Sequence, residues 1–280
     1  MAVTFAVAPV LAQAGQLPQG GSVAAGSATI GTPHNGTLDI NQSSNRAVID
    51  WHSFSVGQGN TVNFNQPSAA SATLNRVTGN TPSSIAGTIN APGTVLLVNP
   101  NGIAITKSGV VNVGSFAAST LDIKNSDFMS GNYKFTGNGN SAAVTNAGRI
   151  NVSDGGFAAL LGGQVANDGI ITARLGKVAL GSGELMTLDL SGDGFLSVAI
   201  PTKDLGKIKG ADGKSLITNS GKIIADGGVV ELKAATAAGL LRDAVNVPGS
   251  IQANSVGVHN GRIVLGGGAG GRVRVAGRIR

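Results

Sequence analysis

Histidine and acidic residues are the first candidates for chemistry, and here neither type forms a familiar catalytic or metal-binding pattern. His34, His52 and His259 are far apart in the chain, and no metal-ligand spacing surrounds any of them. The segment GADGKS lacks the first glycine of a phosphate-binding loop, because Ile208 stands in its place. Neither H-E-x-x-H nor G-x-S-x-G occurs in the sequence. We therefore expect no enzyme, no metal site and no cofactor.

Paired carboxylates are the remaining enzymatic alternative, because solenoid enzymes acting on polysaccharides use acidic side chains for calcium binding or acid and base catalysis. Asp189 and Asp193, in LDLSGDGFL, are the closest suggestive pair. The same SGDG sequence is typical of a tight hairpin turn. We favour the turn over the carboxylate site.

Basic residues could serve an anionic partner, since the net charge is +6. Arg272, Arg274, Arg278 and Arg280 alternate with apolar residues, and on one strand they would share an outer face. That face could contact an anionic glycan or lipopolysaccharide, although a solvated strand face is the simpler interpretation. The other basic residues are scattered and aromatic residues make up only 4% of the chain, so we expect no nucleic-acid partner.

The elements that carry these residues are predicted to be β-strands. Glycine accounts for 44 of 280 residues, about twice its usual share, while charged residues account for only 12%. Asn, Ser, Thr and Gly replace charged residues, and these types suit turns and strand edges better than helix interiors. Cysteine is absent, which excludes disulfide bonds and thiolate metal sites. The composition indicates an all-β protein.

A nine-residue motif recurs along the chain. It has an apolar first residue, a glycine four positions later, and apolar residues two and four positions after the glycine. The copies are ITKSGVVNV, VTNAGRINV, VANDGIITA, ITNSGKIIA and VNVPGSIQA, with glycines at Gly109, Gly148, Gly169, Gly221 and Gly249. Asn146, Asn167 and Asn219 precede their glycines by two positions.

A repeat of short strands with glycine at a set position predicts a β-solenoid, in which each coil buries its apolar face against the next. Two copies are 21 residues apart, and wider gaps of 52 and 28 residues leave room for excursions from the coil. We expect glycine and asparagine at the corners because both tolerate positive φ, with asparagines stacked as amide ladders. The segment VELKAATAAGLLRDA, residues 230–244, is either a short helix or an insertion between coils.

The N-terminus has the character of an export signal. Residues 1–14 are uncharged and apolar and end in Ala-Gln-Ala, the small-x-small pattern of a signal-peptidase site, although the basic start is missing. We predict a truncated signal peptide here. No apolar run approaches the ~18 residues of a membrane span, so we do not expect the chain to cross a membrane.

The segment TVLLVNPNGIAITKSG interrupts a strand with four turn-forming residues. Asn99, Pro100, Asn101 and Gly102 follow the order of a type I turn, and Ile103 begins the next strand. In a solenoid this turn is a corner. The amides of Asn99 and Asn101 either face inward as structural groups or outward toward a partner, and solvent exposure distinguishes the two.

The block of residues 48–123 contains several short motifs: Trp51 and Phe54 in W-x-x-F, Asn75 and Arg76 in NRVT, SSIAGTI, NPNGI from Asn99 to Ile103, and SFAAST. In these motifs the block closely resembles the secretion domain of two-partner secretion exoproteins, the filamentous haemagglutinin and high-molecular-weight adhesin family of Gram-negative bacteria. The haemagglutinin branch carries a second motif, Asn-Pro-Asn-Leu. This chain has Asn-Gln-Pro-Ser at residues 65–68 instead and is closer to the adhesin branch.

The resemblance implies a right-handed parallel β-helix with an N-terminal cap and extra-helical strands. We expect a single secretion domain over residues 15–280, with a cap to about residue 75 and coils from about residue 76, continuing into a longer passenger. The implied partner is an outer-membrane transporter of the Omp85 type, which would recognise this domain through its POTRA domains. The implied location is outside the outer membrane, either secreted or on the cell surface.

Three functional classes follow, and the sequence leaves them open. The first is the secretion domain of an adhesin, whose passenger would bind a host receptor, a glycan or neighbouring bacteria. The second is a solenoid enzyme acting on polysaccharide, and the third is a haem- or iron-scavenging exoprotein with the same secretion domain.

Overall fold

A computed structural model describes residues 16–139, 142–190, 194–199, 215–235, 242–268 and 271–280. The predicted signal peptide, residues 1–14, and Asp193 lie outside these ranges. The described chain is a parallel β-helix, because strands from successive coils pair in parallel along three ladders. The predicted fold class is confirmed.

The first ladder stacks the strand that opens each coil, with Thr37 beside Thr61 and Thr61 beside Thr88. Its strands are β3 (Thr37–Gln42), β5 (Thr61–Asn65), the first part of β8 (Thr88–Val98), the first part of β10 (Val110–Ser119), β14 (Arg149–Val152), β17 (Ile170–Thr172), β22 (Lys222–Ile224), β25 (Ser250–Gln252) and β28 (Arg278–Ile279).

The second ladder continues each coil after a bend. Its strands are β4 (Arg46–Trp51), β6 (Ala72–Val77), the second parts of β8 and β10, β15 (Phe157–Gly162), β18 (Lys177–Ser182), β23 (Val229–Ala234) and β26 (Arg262–Gly266). Several of these strands are buried on both faces, which explains their unbroken apolar runs, such as FAALLG in β15.

The third ladder closes each coil. Its strands are β7 (Ser83–Ile85), β9 (Ile103–Ile105), β13 (Ala143–Asn146), β16 (Gln164–Asn167), β21 (Ile217–Asn219), β24 (Arg242–Val247) and β27 (Gly271–Val275). In β7, β9, β13, β16 and β21 burial alternates along the strand, as in β9, where Ile103 and Ile105 point inward and Ala104 points outward. This ladder therefore has one apolar face and one face open to solvent.

An antiparallel cap closes the N-terminal end. Strand β1 (Ser22–Ala25) pairs antiparallel with β4, and β2 (Ala28–Ile30) pairs antiparallel with β3. Parallel pairing begins at Thr37, well before the boundary near residue 75 that we predicted. The segment between them belongs to the coils because β3 and β4 are already followed in register by β5 and β6.

An extra-helical sheet packs on the outside of the second ladder. It contains β11 (Asp122–Ile123), β12 (Tyr133–Thr136), β19 (Leu185–Leu188) and β20 (Leu196–Ala199), all antiparallel, and the short helix α1 (Asn125–Met129) lies between β11 and β12. Strands β19 and β20 form a hairpin, in which the Asp189 amide donates to the Phe195 carbonyl. Residues 191–193 of the SGDG segment lie outside the described ranges, so the turn that we favoured there stays a prediction.

Two apolar cores hold these layers together. One fills the interior of the coils from Leu38 to Ala253, and the other lies between the second ladder and the extra-helical sheet. Phe128, Tyr133, Phe157 and Phe195 form a chain of edge-on and tilted ring contacts in the second core. The 52-residue separation of Asn167 and Asn219 accommodates the β19–β20 hairpin.

One open alternative about local structure can be narrowed, and one prediction needs correction. Residues 230–244, which we left open between a short helix and an insertion, are strand at both ends, since Val230 to Ala234 belong to β23 and residues 242–244 to β24; residues 236–241 lie outside the described ranges. The four C-terminal arginines do not share a face. Arg272 and Arg274 lie on the third ladder, whereas Arg278 starts the last strand of the first ladder, because the chain bends between them.

Candidate recognition site

The turn at residues 99–102 is a hydrogen-bonded corner between the second and third ladders. The Gly102 amide donates to the Asn99 carbonyl at 3.1 Å, which closes the predicted β-turn. Gly102 has φ +116°, a backbone angle that residues other than glycine rarely adopt. An added Cβ would have ordinary clearance there, so backbone conformation and not lack of space requires this glycine.

The two asparagine amides of this turn face in different directions. Asn99 is fully buried, and its Nδ2 donates to the Thr81 carbonyl at 3.0 Å and to Ser83 Oγ at 2.9 Å. Its Oδ1 accepts from the backbone and side-chain nitrogens of Asn101. Asn101 is exposed and donates to the Gly79 carbonyl at 2.9 Å. Asn99 is therefore structural, and only Asn101 is accessible to a partner.

An open groove of about 540 Å³ runs along the outer face of the third ladder beside this turn. Its walls include Val56, Pro82, Asn101, Gly102, Ala104 and Thr145. The register places Ala104 beside Thr145 and Thr145 beside Ala166, and Ala166 lies outside the groove. The turn predicted from the sequence thus forms part of the wall of an accessible, mainly apolar groove.

Trp51, Phe54 and Asn75 lie inside the first coils. Each is at most 1% exposed, and the Trp51 and Phe54 rings meet edge to face with centroids 5.6 Å apart. Trp51 Nε1 donates to Asn75 Oδ1 at 3.0 Å, and Asn75 Nδ2 donates to the Leu96 carbonyl. These residues satisfy one another, so in the folded domain they stabilise the coils next to the cap and do not meet a partner.

Arg76 fastens the extra-helical segment to the coils. Its guanidinium lies 2.8 Å from Asp122 Oδ1 and 3.1 Å from Asp50 Oδ1, and it donates to Asn125 Oδ1 at 2.8 Å and to the Ile123 carbonyl. A planar group with five donors is well suited to join several acceptors at once. Arg76 therefore positions the start of the excursion that contains α1.

The corner asparagines form the amide ladder that the repeat predicted. Asn146, Asn167 and Asn219 are fully buried, with Asn146 Nδ2 donating to Asn167 at 2.8 Å and Asn167 Nδ2 donating to Asn219 at 2.7 Å. None of the three has a positive φ. Stacking of buried amides, and not backbone conformation, explains these residues.

The corner glycines also have a reason different from the one we predicted. Gly109, Gly148, Gly169, Gly221 and Gly249 do not have positive φ. A Cβ at any of them would lie 2.1–2.3 Å from a carbonyl oxygen of the preceding coil. These glycines are required because neighbouring coils approach too closely for a side chain.

The two glutamates have structural roles that could not be assigned from the sequence. Glu231 is 1% exposed and Glu184 is 9% exposed, and each binds the extra-helical region. Glu231 Oε2 accepts from the Leu196 amide at 2.7 Å and from Lys233 Nζ at 2.9 Å, while Lys233 also donates to the Leu196 carbonyl. The available signal was Glu231 within the apolar run VVEL, in a chain that has only two glutamates.

Burial raises the pKa of the Glu231 carboxyl, but the hydrogen bond from Lys233, the Leu196 amide and the positive charge of Lys233 lower it by more. The net pKa lies below the usual 4.5. Glu231 is thus ionised near neutral pH and holds β20 against β23.

Within the described ranges, no three His, Asp or Glu side chains are grouped so that they could hold a metal ion. No helix in those ranges has the length and apolar character that crossing a membrane requires.

The coils, the cap and the extra-helical sheet together define a capped parallel β-helix with a groove beside the turn at residues 99–102. The chain belongs to the TPS secretion domain family, whose model matches residues 14–280. It is similar over 94% of its length to the HMW1 secretion domain from Haemophilus influenzae, with a TM-score of 0.79, 32% identity and coverage of 66% of that chain.

Two relatives found by sequence are both named heme/hemopexin-binding protein. The chain is 37% identical over 261 residues to a heme/hemopexin-binding protein of Haemophilus influenzae strain Rd, and 39% identical over 119 residues to another from that species. These matches cover 91% and 42% of this chain. The chain spans 28% of the first relative and 13% of the second.

Proposed function

We propose that this chain is the secretion domain of a larger exoprotein and that the POTRA domains of an Omp85-type outer-membrane transporter recognise it. The groove would form locally in the cap and first coils, where the transporter recognises it, and the domain would complete its β-helix only outside the outer membrane, on the cell surface or released from it. We propose no catalytic role for it. The observation that carries the proposal is the groove, which joins the family-marking turn to an accessible apolar surface.

The surface suits a recognition role because its apolar walls are open to solvent on a rigid ladder. Ala104 and Thr145 point outward from strands whose alternate residues are buried. Asn101 lies at the rim and leaves its exposed face available. A segment of the transporter could therefore bind without disturbing the coils.

The test places a charge in the groove and measures export. Ala104→Glu puts a carboxylate on the apolar wall, and Ala166→Glu puts the same group on the same outward column beyond the groove. Each variant is co-expressed with the transporter, and the fraction of the chain in the medium is measured. We expect Ala104→Glu to reduce export at least about tenfold, since an unpaired buried charge is costly, and Ala166→Glu to export normally.

Thermal unfolding of the purified variants separates recognition from folding. Equal melting temperatures with selective loss of export for Ala104→Glu would support the groove as the recognition surface. Normal export of Ala104→Glu, or equal loss for both variants, would refute it.

A second proposal concerns the passenger. The adhesin class rests on the resemblance of residues 48–123, whereas the relatives named as heme/hemopexin-binding proteins favour haem acquisition by the full exoprotein. Haem titration and a cell-adherence assay on the full-length exoprotein distinguish the two. Adherence without haem binding would refute the haem-acquisition class.

A further inference from the structure

A column of basic side chains lies on the outer face of the first ladder, away from the groove. The register stacks Arg149, Ile170, Lys222, Ser250 and Arg278 in successive coils. Basic residues therefore occupy every second strand of the column. Since adjacent strands are about 4.8 Å apart, the cationic positions recur about every 10 Å along the coil axis.

The C-terminal end of this column forms a shallow pocket of about 250 Å³. Lys222, Arg278 and Arg280 line it together with the hydroxyl-bearing Ser250 and the amide-bearing Gln252. All three cations are exposed. The pocket thus offers charged and neutral donors to a single anionic group.

The nearby carboxylates of Asp226 and Asp168 bond to neutral groups and form no ion pair with these cations. Asp226 accepts from Gln252 Nε2 at 2.7 Å and from the backbone and side chain of Asn254, and Asp168 is bonded to Ser220. In the described part of the chain, neither Lys222 nor Arg278 forms an ion pair. Like charges held on one face without acidic partners favour an anion from outside.

We propose that this column binds a linear acidic polysaccharide lying along the coil axis, with at least one carboxylate or sulfate per disaccharide. An extended glycan in which every second sugar is acidic presents its charges at an interval similar to the spacing between the basic residues of the column. A nucleic acid fits less well, because single strands are usually held by aromatic stacking and no aromatic residue lines the pocket.

The test compares two exposed arginines near the C-terminal end of the described chain, on different ladders. Arg278→Glu changes the column, while Arg274→Glu makes the same charge change on the third ladder. Binding of a chondroitin sulfate decasaccharide and of a hyaluronan decasaccharide, which carries carboxylates only, is measured with the 280-residue chain at about 50 mM NaCl.

We expect Arg278→Glu to weaken binding at least about fivefold and Arg274→Glu to change it less than about twofold. Lys222→Gln, which neutralises without reversing charge, should weaken binding by an intermediate amount. Circular dichroism checks that each variant is folded. Absence of binding, equal loss in the two arginine variants, or tighter binding of a duplex DNA at the same salt concentration would overturn the proposal.

Discussion

Replacing Asn99 by alanine should destabilise the first coils by about 2–4 kcal/mol. The Asn99 side chain makes four hydrogen bonds, to the Thr81 carbonyl, to Ser83 Oγ and to two nitrogens of Asn101. A net hydrogen bond contributes about 1 kcal/mol, and a buried group left without its partner costs about 1–3 kcal/mol. The position is fully buried, so water cannot replace the lost bonds.

Two companion variants show which bonds matter. Asn99→Asp keeps the shape and the acceptor for Asn101 but loses the donor to Thr81 and Ser83, and we expect it to be at least as destabilising as alanine. Asn101→Ala removes the exposed bond to the Gly79 carbonyl and one of the two bonds that Asn99 Oδ1 accepts. The backbone amide of Asn101 still donates to that oxygen, so this variant should cost only about 1 kcal/mol.

Urea unfolding provides the measurement, because Trp51 is the only tryptophan and is buried in the first coils. Its fluorescence reports the region that the turn stabilises. The midpoint should fall for the Asn99 variants while the slope stays constant. A cost below about 1 kcal/mol for Asn99→Ala, or equal costs for Asn99→Ala and Asn101→Ala, would refute the assignment of Asn99 as the structural amide.

Three further predictions test the ladders and the extra-helical sheet. Gly169→Ala should cost more than about 2 kcal/mol, because its Cβ would lie 2.1 Å from a carbonyl oxygen, whereas Gly194→Ala meets no atom within 4 Å and should be near neutral in urea unfolding. Asn167→Ala should cost about 2–3 kcal/mol and Asn112→Ala, in an exposed amide ladder, less than about 0.5 kcal/mol, and equal midpoints would contradict this. The pKa of Glu231 is lowered in the folded chain, so the stabilisation that its carboxylate provides is present above the usual value of 4.5 and is lost as pH falls through the folded pKa. Hydrogen exchange at the Leu196 amide, corrected for intrinsic rates, should therefore accelerate in that acidic range. In Glu231→Gln this pH dependence should be absent.

The coil pattern could be predicted from the sequence because parallel stacking repeats the same demand in each coil. Apolar residues recur at the inward positions, and a glycine recurs wherever two coils approach closely. The predicted reason for the corner glycines, tolerance of positive φ, was wrong. Positive φ is a property of one residue, whereas the close contact of Gly169 with the preceding coil depends on the register between coils, which single-residue preferences do not contain.

The groove and the basic column could not be predicted for the same reason. Ala104 and Thr145 are far apart in sequence and become neighbours only through register. Likewise, Arg278 joins Lys222 because two coils separate them, while its sequence neighbour Arg274 lies on another ladder. Sequence proximity suggested a single arginine face, and the bend after β27 divides it.

The buried corner ladder gives the coils an order of assembly. Asn146 Nδ2 donates forward to Asn167 of the next coil, while the Gly169 amide donates back to the Asn146 carbonyl. A coil therefore leaves a buried amide without its partner until the next coil docks, at a cost of about 1–3 kcal/mol. Docking satisfies that amide and buries apolar side chains such as Val165 and Ile171, each worth about 1.5–3 kcal/mol.

Because the N-terminal end is closed by the cap, coils can add only toward the C-terminus. Each added coil gains free energy and provides the template for the next. During export such stepwise docking would oppose backward sliding of the chain without a nucleotide supply, since withdrawal would expose the newly buried residues again. This account requires the ladder to couple neighbouring coils, so a negligible cost for Asn167→Ala would contradict it.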